Sequence, residues 1–191
     1  MGLLLLEGPA APLVSLEEAQ AQVRSENAEE SALLASMVEA ATAQAEAYCR
    51  RRFVTQRWRA TFDRFPDGAI LLPHPPLASV EAATYVDAAG TVQNLAPADY
   101  VVRTAETPGE IVPAHGKSWP AARDVPDAVA VEFTCGYGDP ADVPQAIKRA
   151  VLLLVGSLYR DRENASPVAL SHVPTSAEWL LGPFVVRRFV A

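Results

Sequence analysis

The strongest hydrophobic pattern in the chain predicts a strand that is followed directly by a long helix. Val129, Val131 and Phe133 alternate with polar or small residues, which is typical of a half-buried strand. Gly136-Tyr137-Gly138 then ends the strand, and from Pro144 onward apolar residues recur at helical spacing. So few polar positions remain on this helix that we expect it to pack on its own domain with one side and on a neighbouring molecule with the other. The alternative is the central helix of a monomeric core.

Two further helices are predicted near the N-terminus by their start signals. Ser15 and Glu18 form a capping-box pattern, and Asn27 with Glu30 repeats the same signal. The second of these helices carries an apolar face with Glu39 and Glu46 opposite, and Glu46 has the spacing to pair with Arg50. The three predicted helices span residues 15–24, 28–52 and 144–161.

Between the helices the hydrophobic period changes to alternation, which predicts short strands over residues 55–135. Turn residues divide this β region, and Asp87 with Gly90 marks a hairpin. The fold class that follows is α+β: a helical bundle-like core, made of two N-terminal helices and one long C-terminal helix, with an inserted antiparallel β region and a C-terminal arm.

The two ends of the chain are predicted to be arms. Residues 1–14 are expected to be irregular, because Pro9 and Pro12 interrupt regular structure. Residues 15–161 form the main domain, and residues 162–191 a polar linker followed by a docking arm. Within that arm the pattern predicts a short helix over 177–181 and a final strand over 184–190.

Composition restricts the classes of function. A formal net charge of −7 argues against a free-standing nucleic-acid binder. The 2 cysteines, Cys49 and Cys135, belong to no CxxC motif and are expected to be small buried hydrophobes in a reducing compartment. The run Leu3–Leu6 is too short for a signal sequence or a membrane span. We therefore expect a chain that is cytosolic when it is made.

No constellation of residues predicts catalysis, a cofactor or a metal. His74, His115 and His172 each stand without a second ligand at metal-binding spacing. Gly136-Tyr137-Gly138 is too short for a phosphate loop and is interpreted as a turn that needs positive φ. We expect no active site, no metal and no cofactor.

A basic cluster and an apolar C-terminal arm remain as candidate binding elements. The cluster Arg50, Arg51 and Arg52 either contacts a DNA backbone or stabilises the end of a helix. The arm either folds back on its own domain or docks on a partner protein, where its last strand would add to the partner's sheet. The docking residues predicted in the arm are Trp179, Leu180, Leu181, Phe184, Val186, Arg187, Arg188 and Phe189.

Motifs in order along most of the chain resemble the tailed-phage head–tail connector or adaptor proteins (the gp6-like, phiE125 gp8-type group), which also occur in gene transfer agents. The residues that carry this resemblance are Val14–Ala19, Glu46–Tyr48, Pro76–Val80, Trp119-Pro120, Phe133–Gly138, Val143–Ile147, Leu158–Glu163 and Leu180–Phe184.

The resemblance implies a ring, typically of twelve copies, that lies beneath the portal of the particle neck. Such a ring extends the channel for double-stranded DNA and receives a stopper or tail-terminator protein, with no membrane involved. Assembly would take place in the bacterial host cytoplasm, and the C-terminal arm would dock on the portal. The subunit contacts would come from the helices at 28–52 and 144–161, through Met37, Val38, Leu152, Leu153, Val155 and Tyr159.

Two other functions stay open at this point. One is a DNA-packaging or DNA-binding factor that uses the arginine cluster. The other is a cytosolic enzyme whose site has no recognisable motif. The sequence does not decide between an infectious phage and a gene transfer agent.

Overall fold

A computed structural model describes residues 1–25, 27–160 and 175–187. It is an α+β fold with antiparallel sheets, which confirms the predicted class. The helices are α1 (Leu16–Val23), α2 (Ser31–Cys49), α3 (Gln145–Arg160) and α4 (Thr175–Leu181). The strands are β1 (Gly2–Glu7), β2 (Gln56–Phe62), β3 (Ile70–Leu71), β4 (Leu77–Val86), β5 (Val92–Asn94), β6 (Tyr100–Arg103), β7 (Glu110–Pro113) and β8 (Val129–Cys135).

The described chain divides into two compact units, each made from separated segments. The β unit contains residues 1–9, 55–137 and 186–187, and the helical unit contains the described parts of residues 10–54 and 138–185. The β region is therefore inserted between helices α2 and α3, as the sequence predicts. The core, however, is not only helical, because the β unit has a hydrophobic cluster of its own.

Two sheets form the β unit. The larger sheet has the strand order β1-β2-β8-β4-β5, and the smaller has the order β3-β7-β6. Ala60, Val131 and Phe133 of the larger sheet belong to the same buried cluster as Ile70 and Ile111 of the smaller one. The alternation that predicts β8 is confirmed, since its odd-numbered residues are all buried.

In the helical unit α3 contacts α1, α2 and α4. Its buried face consists of Ile147, Ala150, Val151, Leu154 and Val155. Much of the breadth of its apolar surface is thus explained by three neighbouring helices of the same chain.

The helix ends confirm one predicted cap and correct another. Ser15 Oγ accepts a hydrogen bond from the Glu18 N–H, and Glu18 returns one to the Ser15 N–H, as predicted. The second helix starts three residues later than expected, at Ser31 after a 3-10 turn. Residues 28–30 form that 3-10 turn, and the Glu30 carboxylate accepts hydrogen bonds from Ser25 and Tyr159, which makes it part of the tertiary packing. That helix ends at Cys49, because Arg50 adopts a left-handed conformation with φ 54°.

Both chain ends differ from the prediction. Gly2–Glu7 is not irregular but forms strand β1, which pairs with β2. The prolines at 9 and 12 follow this strand and do not interrupt it. The predicted final strand is wrong over its described part, since Phe184 closes a 3-10 turn and residues 185–187 form no strand. Residues 188–190 of that prediction lie outside the described residues.

The turn after β8 confirms the predicted need for glycine. Gly136 has φ 116° and Gly138 has φ 131°, conformations that side chains rarely adopt. Gly138 also lies so close to the Asp142 side chain that a Cβ would overlap it.

Candidate assembly surfaces

Strand β1 exposes four consecutive leucines at the edge of the larger sheet. The exposed fractions are 40% for Leu3, 55% for Leu4, 46% for Leu5 and 36% for Leu6. Natural edge strands are usually protected by charges, prolines or short length. Burying a fully exposed leucine is worth about 1.5–3 kcal/mol, and each of these leucines still exposes roughly half of its surface. This edge is therefore a candidate for contact with another protein.

The leucines of β1 lie on both faces of the sheet. Leu3 pairs with Ala60 and Leu5 with Trp58, which places both on the side of the hydrophobic cluster. Leu4 pairs with Arg59 and therefore lies on the opposite side. A bulge between Leu5 and Glu7 shifts the register at the end of the strand. A binding partner would cover β1 completely only by meeting its edge as well as both faces.

The side of the sheet opposite the cluster carries a charged network. Glu132 on β8 accepts a hydrogen bond from Arg59 Nη2 at 2.6 Å and lies 3.7 Å from Arg57. Arg57 also lies 3.6 Å from the Glu7 carboxylate on β1. These groups are partly exposed, so each pair is worth well under 1 kcal/mol at ordinary salt. Their main effect is to keep this face polar beside the apolar edge.

The helix α4 buries one side against the helical unit and exposes Trp179. Ala177 and Leu181 are fully buried, whereas Trp179 is 80% exposed. Two hydrogen bonds hold the segment: the Cys49 thiol donates to the Leu181 carbonyl at 3.9 Å, and Arg51 Nε donates to the Phe184 carbonyl at 2.6 Å. Burial raises the pKa of the Cys49 thiol to about 11, so this thiol stays protonated at neutral pH.

The predicted docking residues of the arm are therefore divided by the structure. Leu181 and Val186 are buried within the chain and are removed from the docking surface, because no partner can reach them. Leu180 and Phe184 are half-buried, and Trp179 and Arg187 are exposed. Arg188 and Phe189 lie outside the described residues.

The predicted subunit-interface residues divide in the same way. Val38 and Val155 are buried inside the helical unit, so both are corrected to core residues. Met37, Leu152 and Leu153 are half-buried. The Tyr159 hydroxyl has a partner in its own chain, since it donates a hydrogen bond to the Glu30 carboxylate at 2.6 Å.

Two of the three clustered arginines have partners within the helical unit. Arg51 bonds the Phe184 carbonyl, and Arg52 bonds the Glu46 carboxylate at 3.2 Å. The predicted Glu46–Arg50 pair is thus replaced by Glu46–Arg52, because the helix ends before Arg50 and the i, i+4 helical spacing no longer applies. Arg50 is exposed. The partners of Arg51 and Arg52 thus belong to the chain itself, and a contact of the cluster with DNA stays a prediction.

Glu46 is a buried carboxylate that serves the fold. It accepts hydrogen bonds from the Phe53 N–H at 2.9 Å and from Arg52. Burial raises the pKa of Glu46, and those two partners lower it in part.

Within residues 1–25, 27–160 and 175–187, no group of three or more His, Cys, Asp or Glu side chains is arranged to hold a metal ion. His74 lies against the Trp58 ring, with 4.7 Å between ring centroids, and His115 is exposed. His172 lies outside the described residues. None of the helices in these ranges is long and apolar enough to cross a membrane.

Strand β1 is a candidate contact surface that the sequence-based predictions do not include. The signal was present: the run of four leucines is flanked by Gly2 and by Gly8-Pro9, which are typical strand boundaries. From the sequence, the run Leu3–Leu6 is predicted to be neither a signal sequence nor a membrane span, and residues 1–14 are expected to be irregular.

Comparisons with known proteins place the fold. No protein-family model matches the chain, and no curated protein matches it. Among solved structures, a chain in the virion of a native gene transfer agent (GTA) particle matches with a TM-score of 0.79 and 23% identity, over 100% of this chain and 98% of that chain. This chain shares its fold with proteins of gene transfer agent particles.

Two further matches come from particle necks. A chain in the neck of an empty GTA particle, computed with C6 symmetry, has a TM-score of 0.78 and 23% identity over 100% and 98% of the two chains. A chain in the neck of a native GTA particle, computed with C12 symmetry, has a TM-score of 0.72 and 25% identity over 98% and 97%. The likeness spans both the helical and the β unit.

Proposed function

We propose that this chain is a structural protein of the neck of a gene transfer agent or tailed phage, and that it acts as the head–tail connector (adaptor). The observation that carries the proposal is the end-to-end likeness to chains of GTA necks, with neither chain left substantially uncovered. A partial match would be compatible with a shared domain in an unrelated protein. A match over nearly the whole of both chains favours the same kind of role.

The proposed assembly is a ring of twelve copies beneath the portal, which extends the channel for double-stranded DNA and receives a stopper or tail-terminator protein. The C12 symmetry of one matching neck supports this copy number. The net charge of −7 supports it too, because a wall of like charge disfavours phosphate contacts that would hold the DNA in place.

The portal-docking surface in this proposal is the exposed side of the segment from Thr175, with Trp179 at its centre. A large aromatic side chain that is 80% exposed is a typical anchor for a protein–protein contact. Leu180, Phe184 and Arg187 complete the surface, since each is at least partly exposed. Subunit contacts in the helical unit use the half-buried Met37, Leu152 and Leu153.

A deletion in the particle-producing cell tests the proposal. Without this chain, we expect heads filled with DNA and separate tails, because the two parts lack their joint. The wild-type chain supplied from a plasmid should restore joined particles, as counted by electron microscopy. Normal numbers of joined, DNA-transferring particles without the chain would contradict the proposal.

A further inference from the structure

We propose that β1 is an intersubunit strand, which adds to the sheet of the next copy of this chain along the open edge of its β4. The inference rests on the proposed ring, and it identifies which surfaces of neighbouring copies meet. Its starting point is that β1 ends the larger sheet and pairs only with β2 among the described strands. Residues 3–6 of this edge are all leucines, and no charged side chain among them would prevent pairing with another strand.

The far side of the same sheet offers a matching edge. Strand β5 covers β4 only over Thr84–Val86, and the Leu95 N–H bonds the Ala83 carbonyl. Residues 77–82 of β4 therefore have no described strand on that edge, and this stretch is as long as the six residues of β1. Ala78, Ser79 and Glu81 are exposed there.

Strand directions favour this pairing. Each neighbouring pair along β1-β2-β8-β4 is antiparallel, so β1 and β4 run in opposite directions within one sheet. If the strands of a neighbouring copy run in the same directions as those of the first copy, the β1 of the neighbour is antiparallel to the β4 of the first copy. Two different edges meet in such a contact, which makes it heterologous, and a heterologous contact forms a ring when the rotation between successive copies closes. A β1–β1 contact would instead stop at a dimer.

Disulfide cross-linking in purified particles tests the contact. A chain with Leu4→Cys and Ser79→Cys should give, under mild oxidation, a ladder of covalent oligomers on a non-reducing gel. Ala78→Cys and Glu81→Cys, each combined with Leu4→Cys, test neighbouring registers. Within one chain the two positions are separated by β2 and β8, roughly 14 Å at about 4.8 Å per strand, which is too far for a disulfide. Native Cys49 and Cys135 are buried and should not contribute.

The matched control is Leu4→Cys with Val101→Cys, since Val101 is an exposed apolar residue on β6 of the other sheet. That pair should remain monomeric on the gel, as should Leu4→Cys alone. In addition, Leu4→Lys with Leu5→Lys should lower incorporation of the chain into particles by about tenfold or more. Val101→Lys should leave incorporation unchanged.

The outcomes separate this inference from the proposed function. Monomers from all three double variants in normally assembled particles would overturn the β1 contact and leave the neck role standing. A covalent dimer of the Leu4→Cys variant, or a cross-link from that cysteine to another particle protein, would also overturn the β1 contact. Either result would mean that β1 contacts something other than β4 of the next copy. Absence of the wild-type chain from particles would overturn both.

Discussion

The Arg51 guanidinium Nε donates a hydrogen bond to the Phe184 carbonyl oxygen at 2.6 Å, and so ties the end of helix α2 to the turn after α4. The donor is charged and partly buried, so this bond is stronger than one between neutral groups. Arg51→Ala should lower the free energy of unfolding by about 1–2 kcal/mol in urea titrations. Arg50→Ala is the control, because Arg50 is exposed, and it should change that energy by less than about 0.5 kcal/mol. Equal effects of the two variants would contradict the assignment.

Substitutions of Leu181 and Trp179, on the same short helix, should have different effects: one on folding stability, the other on the joining of heads to tails. Leu181 is fully buried, so Leu181→Ala should cost about 2–5 kcal/mol of folding free energy. Trp179 is 80% exposed, so Trp179→Ala should leave the unfolding midpoint nearly unchanged and reduce the joining of heads to tails. Normal joining with Trp179→Ala would exclude Trp179 as the docking anchor.

Truncation after Pro174 would not test docking alone, because it removes residues that stabilise the fold together with the proposed docking residue. It removes the buried Ala177 and Leu181 along with the exposed Trp179. We expect the truncated chain to lose stability by more than the Leu181→Ala variant, as measured by thermal unfolding. A truncated chain as stable as wild type would show that α4 contributes nothing to the fold.

Gly109 lies where the β unit leaves no space for a side chain. A Cβ at this position would overlap the Leu77 side chain, whereas one at Gly68 would meet nothing within 4 Å. Gly109→Ala should therefore destabilise the protein by about 1–3 kcal/mol, and Gly68→Ala by less than about 0.5 kcal/mol. The comparison is made by urea unfolding followed by tryptophan fluorescence. Similar losses for both variants would be inconsistent with the described packing.

Glu46 should make stability depend on pH in a specific direction. Because burial raises its pKa, the folded protein holds the proton more tightly than the unfolded chain does. The stability that this effect contributes is fully present below the unfolded pKa, and it is lost as the pH rises through the folded pKa. As the pH rises above the unfolded pKa of Glu46, Glu46→Gln should therefore gain stability relative to wild type. The opposite slope would mean that Arg52 and the Phe53 N–H outweigh burial.

The elements with strong local signals could be predicted from the sequence. The alternation of Val129, Val131 and Phe133 and the Ser15–Glu18 box both correspond to observed structure. The missed features depend on tertiary contacts. Glu30 was expected to cap a helix, but it bonds Tyr159 from a distant helix, and no local pattern encodes that partner.

The candidate surfaces were predicted less well than the fold. Leu181 and Val155 have the same apolar character as exposed residues, and only the packing of three helices decides that they are buried. The pattern of the run Leu3–Leu6 does not predict a strand, because its partner β2 begins about 50 residues further along the chain. Apolar character can be read from sequence, whereas exposure requires the fold.

Cryo-electron microscopy of intact particles from the producing cell tests the central claim most directly. The account predicts density for this chain in a ring of twelve copies between the portal and the tail, with Trp179 facing the portal. Density for this chain elsewhere in the particle, or particles whose neck contains no copy of it, would contradict the account.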